Sequence, residues 1–346
     1  SALLHAAARS DEREGASVVL LFDDLHWADA ASLDLLCHLS SAGLPPRSWV
    51  VATSRFATFV PPPLAELIAG CKETGKIDTV ILDRLDDGSL KLLAEAVIGK
   101  EGAGSFAKFL GERSQSLPLA VVEWINLLCD EGFLEPATGA LWRIARELND
   151  PELAGVGALA DLTQRRVNQL PESSRRLLTL ASVAGNTFEP ELLARAAGEQ
   201  AGVVELAIAV LLQRWLVRHY PQHWFDSRRE RDVVLWSQGV RRGIFEFAHK
   251  GTRRMLYDSV PAARRQQLHR QVAEALVTRT PRGAAWHETV AAHALAAEEW
   301  RLAVEHLRAA ESACRELGAG SEAALYQARA VEATHHLLAV GTPSET

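Results

Sequence analysis

SVVLLFDDLHWAD, residues 17–29, decides how the rest of the chain is read. Its first six residues are a short apolar run with β-branched valines, the pattern of a strand buried on both faces of a sheet. The run stops at two adjacent carboxylates, Asp23 and Asp24, with His26, Trp27 and Asp29 just beyond. Residues at the carboxyl end of a parallel strand lie where open α/β sheets bind ligands. A carboxylate there holds Mg²⁺, usually through its waters, and a second one orients or deprotonates an attacking water. Taken alone, an apolar run ending in Asp is more often a strand end, a turn and a helix cap. That plain reading stands beside the chemical one.

Working outward, Asp29 is placed to cap a helix through ADAASLDLLCHLS, in which Leu33, Leu36 and Leu39 recur at helical spacing. A proline-containing turn leads to a second buried strand, SWVVAT at 48–53, which ends in Ser54 and Arg55. KIDTVILDRL predicts a third short strand around 77–82. Strand, helix and strand in this order are the grammar of a parallel α/β sheet. Beyond residue 84 the strands give way to amphipathic helices up to about 135, and Pro136 to Pro151 contains a linker. From about 158, helices precede two strand-like segments, WLVRHY and GIFEFAH, and the combination suggests a winged helix. From Pro261 onward the pattern is helical, with Leu268, Val272 and Leu276 on one face. Ala303 and Ala310 are spaced like Ala323 and Ala330, so small residues recur where paired helices would approach closely. A tetratricopeptide period is about 34 residues, and this region reads as a helical-hairpin array of that general kind. The expected domains are 1–84, 85–150, 151–260 and 261–346.

At 346 residues the chain exceeds one ordinary hydrophobic core. Its 48% hydrophobic and 23% charged residues are a globular balance, and a net charge of −7 gives no overall reason to expect nucleic acid or an anionic membrane. Cys37, Cys71, Cys129 and Cys314 lie far apart in neither metal-ligand nor disulfide-framework spacing, which points to a reducing cytoplasm. No apolar run approaches the roughly 18–20 residues of a membrane span. The chain opens on Ser1 inside a helix-like stretch, SALLHAAARS, which reads as a cut through a longer protein.

DDLHWAD followed by ASLDLL closely resembles the signature of STAND ATPases, the AAA-like signal-transduction NTPases of LuxR-type regulators and of cyclase- and kinase-linked sensors. The resemblance continues in order. WVVATSR looks like the family's sensor strand, which implies that Arg55 approaches the γ-phosphate. SLPLAVVEWINLLCDEGFL resembles the lid segment, with Pro118 as the implied nucleotide-contacting proline; Ser116 and Leu117 stand where the pattern has glycine and asparagine. LPESSRRLLTLASVAGNTFEPELLARAAG and FEFAHKGTRRMLYDSVPAARRQQLHRQVAEAL are similar to winged-helix stretches. There His249, Arg253 and Tyr257 fall at i, i+4 and i+8. The resemblance implies a nucleotide contact for His249, set against the ordinary helix-start histidine satisfied by backbone. It also implies ATP or ADP with Mg²⁺, Asp23 near the metal, and Asp24 near the attacking water. The implied architecture is α/β, a partial P-loop NTPase core followed by mainly α domains: helical lid, winged helix and TPR-like hairpins.

A phosphate-binding loop GxxxxGK[ST] is absent from these 346 residues: Gly75-Lys76 precedes Ile77, and Gly99-Lys100 precedes Glu101. Each charge-assisted hydrogen bond to phosphate is worth roughly 1.5–3 kcal/mol. Four fewer remove on the order of 6–12 kcal/mol, enough to take micromolar binding to millimolar or beyond. This chain alone is therefore expected neither to bind ATP usefully nor to hydrolyse it, with ATPase activity reserved for the full-length protein. RRERDVVLWSQGVRR (228–242) could touch DNA phosphates, but Glu230 and Asp232 interrupt it, and nucleic acid is not the expected partner. No histidine pair has convincing ligand spacing, and no G-x-S-x-G elbow supports serine chemistry. Partner proteins or self-association through the C-terminal helices are expected instead. The rival reading is a non-enzymatic scaffold with a decayed NTPase core.

Overall fold

The computed structural model describes residues 18–28, 30–42, 48–55, 62–73, 77–138, 141–153, 159–220, 243–278 and 283–341. The chain forms two compact units, Ser1–Asp83 and Arg84–Thr346. Among the described residues no helix is long and apolar enough to cross a membrane.

In the first unit the apolar run is strand β1 (Val18–Phe22), parallel to β2 (Ser48–Ala52), with Val18 opposite Ser48 and Phe22 opposite Ala52. Parallel strands require a crossover, and helix α1 (Ala30–Ala42) lies between them in sequence. Its Leu33 and Leu36 pack with Leu25 and with Leu64 of α2 (Pro62–Glu73). Two expectations are corrected. The strands are not buried on both faces, because Leu21 and Trp49 are 64% and 65% exposed. Residues 77–82 form no strand, and Val80, Ile81 and Leu82 stand in solvent: an apolar run becomes a strand only with a neighbour to accept its backbone hydrogen bonds. Asp29 lies outside the described residues.

The second unit opens with α3 (Asp87–Ile98), whose first turn is capped by the Asp86 carboxylate accepting from Ser89 N–H at 2.6 Å. Helix α4 (Ala103–Ser114) and helix α5 (Pro118–Asp130), which begins on its proline, bury Phe106, Leu110, Trp124 and Leu127. Phe109 and Trp124 meet edge to face at 5.6 Å. The stretch read as a linker holds structure: β3 (Leu134–Pro136) pairs antiparallel with β4 (Trp142–Ile144), and Arg146 bridges Asp150 and Glu152. β3 and β4 have three residues each, with burial patterns that do not alternate.

Helices α6 (Leu159–Asn168), α7 (Glu172–Ala184), α8 (Pro190–Ala197) and α9 (Ala201–Gln213) follow. The two segments read as strands pair as β6 (Val217–His219) and β7 (Phe245–Phe247), and β5 (Thr187–Phe188) joins them in the order β5-β7-β6, all antiparallel. The arginine-rich stretch 228–242 lies outside the described residues. Where α5 meets α6, Arg166 is 1% exposed yet fully engaged. It donates to Glu123 at 2.7 Å, to Asp130 at 2.9 Å and to the Arg214 carbonyl, while Arg214 reaches Asp130 at 2.7 Å.

The chain ends in α10 (Lys250–Ser259), α11 (Ala262–Val277), α12 (Ala284–Ala296), α13 (Trp300–Glu316) and α14 (Gly320–Gly341). Ala303, Ala310, Ala323 and Ala330 are all buried in one cluster where α13 meets α14, as the repeated small residues indicate. A buried polar chain links the preceding helices. Tyr257 Oη lies 2.9 Å from His269 Nε2, and the two histidine Nδ1 atoms of His269 and His293 are 2.9 Å apart. His293 is also hydrogen-bonded to the backbone of Ala184, a bond that favours its protonated form and therefore uses a ring N–H as donor. Each neutral ring has one donor and one acceptor, so within the chain each imidazole gives a proton at one nitrogen and accepts at the other.

Candidate functional site

The acids at the end of β1 sit beside the end of β2 because the parallel register brings Phe22 level with Ala52. The ladder continues past the strands, with Thr53 N–H donating to Phe22 O at 2.9 Å and Leu25 N–H to Thr53 O at 2.8 Å. Asp24 takes a left-handed conformation, φ 59° and ψ 46°, and turns the chain into a short 3₁₀ segment, Leu25–Trp27. Aspartate tolerates that region better than most residues. Thr53 Oγ1 donates to Asp23 Oδ1 at 2.7 Å and accepts from Asp24 N–H at 2.8 Å. Arg55 N–H donates to His26 Nδ1 at 3.4 Å, and His26 Nε2 lies 4.0 Å from Asp24 Oδ1. His26 accepts at Nδ1, so its neutral form carries its proton at Nε2.

Asp23, Asp24 and Arg55 thus meet at one end of one two-stranded sheet. The composition of that end suits a hard cation: carboxylate and hydroxyl oxygens, with no thiolate in the set. Among the described residues no cluster of three or more His, Cys, Asp and Glu side chains is arranged to hold a metal on its own. An ion there would keep waters or share its shell with a phosphate, as Mg²⁺ does.

Pro118 and His249 belong to the second unit. Pro118 is the first residue of α5, preceded by Gln115 and Ser116, both left-handed at φ 53° and 58°. Glycine meets that demand without strain; in this chain Ser116 takes it with its Cβ in place. His249 precedes α10, half-buried, and its Nε2 is 3.7 Å from Glu123 Oε1 on the helix that Pro118 opens. Burial pushes its pKa below the ordinary histidine value; the Glu123 carboxylate opposes this, while Arg218 and Arg166 add to it. Arg253 and Tyr257 share a face of α10, the guanidinium 5.8 Å from the ring, but turn to Ser182 and His269.

Sequence reasoning passed over Thr53 and His26 as chemical residues. Thr53 had a signal, a hydroxyl directly after the second strand. Its connection to Asp23 is a matter of register across 30 residues, which no single segment displays.

No protein-family model matches the chain, and no curated protein does. Among solved structures it is similar to a Signal Transduction ATPase with Numerous Domains (STAND) protein with a tetratricopeptide repeat sensor from Pyrococcus horikoshii, at a TM-score of 0.50 and 13% sequence identity. That likeness covers 90% of this chain and 43% of the other, so this chain spans less than half the length of its structural neighbour. The fold is of that kind: small sheets, then helices, then TPR-like helical repeats.

Proposed function

We propose that the chain is the C-terminal part of a STAND-type regulatory ATPase, working as a nucleotide-gated switch in transcriptional or second-messenger signalling. The observation that carries this reading is the meeting of Asp23, Asp24 and the Arg55 backbone at the carboxyl end of two parallel strands. In this reading Asp23 holds the waters of Mg²⁺, Asp24 orients the attacking water, and Arg55 faces the γ-phosphate. The ion, when bound, neutralises phosphate charge. Residues 85–150 are then the lid and 151–260 the winged helix. Pro118 and His249 close over ADP, exchange for ATP releases them, and hydrolysis resets the switch. The 261–346 array senses a signal or binds protein partners, including a second copy. Its last helix offers Leu325, Val331 and Leu338 at 57%, 51% and 64% exposure.

The phosphate-binding loop lies outside these residues in this scheme. Filter binding of radiolabelled ATP to residues 1–346 is therefore expected to show no micromolar affinity. A longer protein that includes the loop binds ATP, and Asp24→Asn lowers its hydrolysis by at least about 100-fold, the lower range of general-base effects. Hydrolysis by D24N at the parent rate would overturn the proposal. The scaffold reading has one observation in its favour, the replacement of the lid's glycine and asparagine by Ser116 and Leu117. It predicts that the longer protein binds no nucleotide at all.

A further inference from the structure

The acid pair needs something to hold it. Asp24 sits in the left-handed region at φ 59°, which costs an L-residue about 1–2 kcal/mol. Asp23 lies on an exposed strand end, where a lone carboxylate samples several rotamers. One side chain engages both. Thr53 gives its single hydroxyl proton to Asp23 Oδ1 and offers an oxygen lone pair to Asp24 N–H, at 2.7 and 2.8 Å. The direction matters: with the hydroxyl proton spent on Asp23, its Oδ1 is held as an acceptor in one fixed orientation. The Thr53 backbone adds a further pair of bonds, to Phe22 and Leu25, on either side of the acids.

We propose that Thr53 is the positioning residue of the acid pair: its hydroxyl fixes the Asp23 carboxylate and the turn at Asp24 in the geometry the nucleotide chemistry uses. This rests on the ATPase reading above and names a residue that reading does not. Thr53 acts through Asp23 and Asp24 and touches no reacting atom. Valine is its isostere without the hydroxyl and keeps the β-branch that suits a strand end; serine keeps the hydroxyl.

The test compares Thr53→Val, Thr53→Ser and Asp24→Asn in the longer ATPase. Three readouts are taken: steady-state ATP hydrolysis, Mn²⁺ affinity in the presence of ADP by electron paramagnetic resonance, and exchange of the Asp24 amide hydrogen. T53V is expected to lower kcat and Mn²⁺ affinity by about 10–100-fold, the usual effect of removing a group that orients a metal ligand. KM for ATP stays within about twofold, and exchange at Asp24 accelerates. T53S restores all three. If D24N abolishes hydrolysis while T53V keeps parent kcat and Mn²⁺ affinity, the positioning role is overturned and the ATPase reading stands. If D24N hydrolyses normally, the ATPase reading falls, and Asp24 exchange then decides Thr53 alone, with unchanged exchange in T53V overturning it. A T53S protein as impaired as T53V also overturns it, because the hydroxyl would not be the active feature.

Discussion

At Ser116 the chain shows what a single side chain costs. Two consecutive left-handed residues, Gln115 and Ser116, bring the chain into Pro118 and α5. Ser116→Gly removes a Cβ penalty of about 1–2 kcal/mol and gives back part of it through a more flexible unfolded chain. A net gain of about 0.5–1 kcal/mol is expected in urea unfolding, with an unchanged m-value. Destabilisation by S116G would mean the turn carries no strain. At this scale the sequence was legible wherever position along one segment sufficed. Asp23 and Asp24 end β1, and Arg55 follows β2, as the patterns indicate. Thr53 and Glu123 were illegible because their partners, Asp23 and His249, are distant in sequence and meet only through packing.

Among elements, the closest dependence is between α5 and α6. Arg166, Glu123 and Asp130 are removed from water together, and each is tolerable only because the others are there. Arg166→Met leaves Glu123 without its guanidinium and Asp130 with Arg214 alone, and a loss of about 3–5 kcal/mol is expected in chemical denaturation. A loss under about 1 kcal/mol would show that water reaches the site. The helices themselves were readable from apolar spacing, as with Leu33, Leu36 and Leu39 on α1 or Leu268, Val272 and Leu276 on α11, all buried. Short strands were readable where a longer apolar-aromatic segment surrounds them, as with β6 and β7, but the β3–β4 hairpin and β5, of two or three residues each, were passed over. KIDTVILDRL errs the other way, an apolar alternation that suits a strand and forms none.

For the molecule as a whole, the ordering of helices into an array sets its response to acid. Burial holds His269 and His293 at about pKa 4, well below the unfolded value near 6.5. A depressed histidine pKa means that the unfolded chain takes up the proton first. Stability is therefore complete above about pH 6.5 and falls as pH drops toward 4, at up to about 1.4 kcal/mol per pH unit per histidine. Thermal unfolding followed from pH 7 to 4 is expected to show this decline, and a His269→Gln, His293→Gln double variant flattens it. Equal slopes for the two proteins would remove the histidines as its cause. The same row of protons has a mechanical corollary. At its end His293 meets the backbone of Ala184, the last residue of α7, whose carbonyl has no N–H donor within the helix. Sliding α12 by one turn, about 5.4 Å, would carry His293 away from His269 and from Ala184, while His269 keeps Tyr257. The contact of His293 with the end of α7 and with His269 therefore opposes displacement of α12 along its axis.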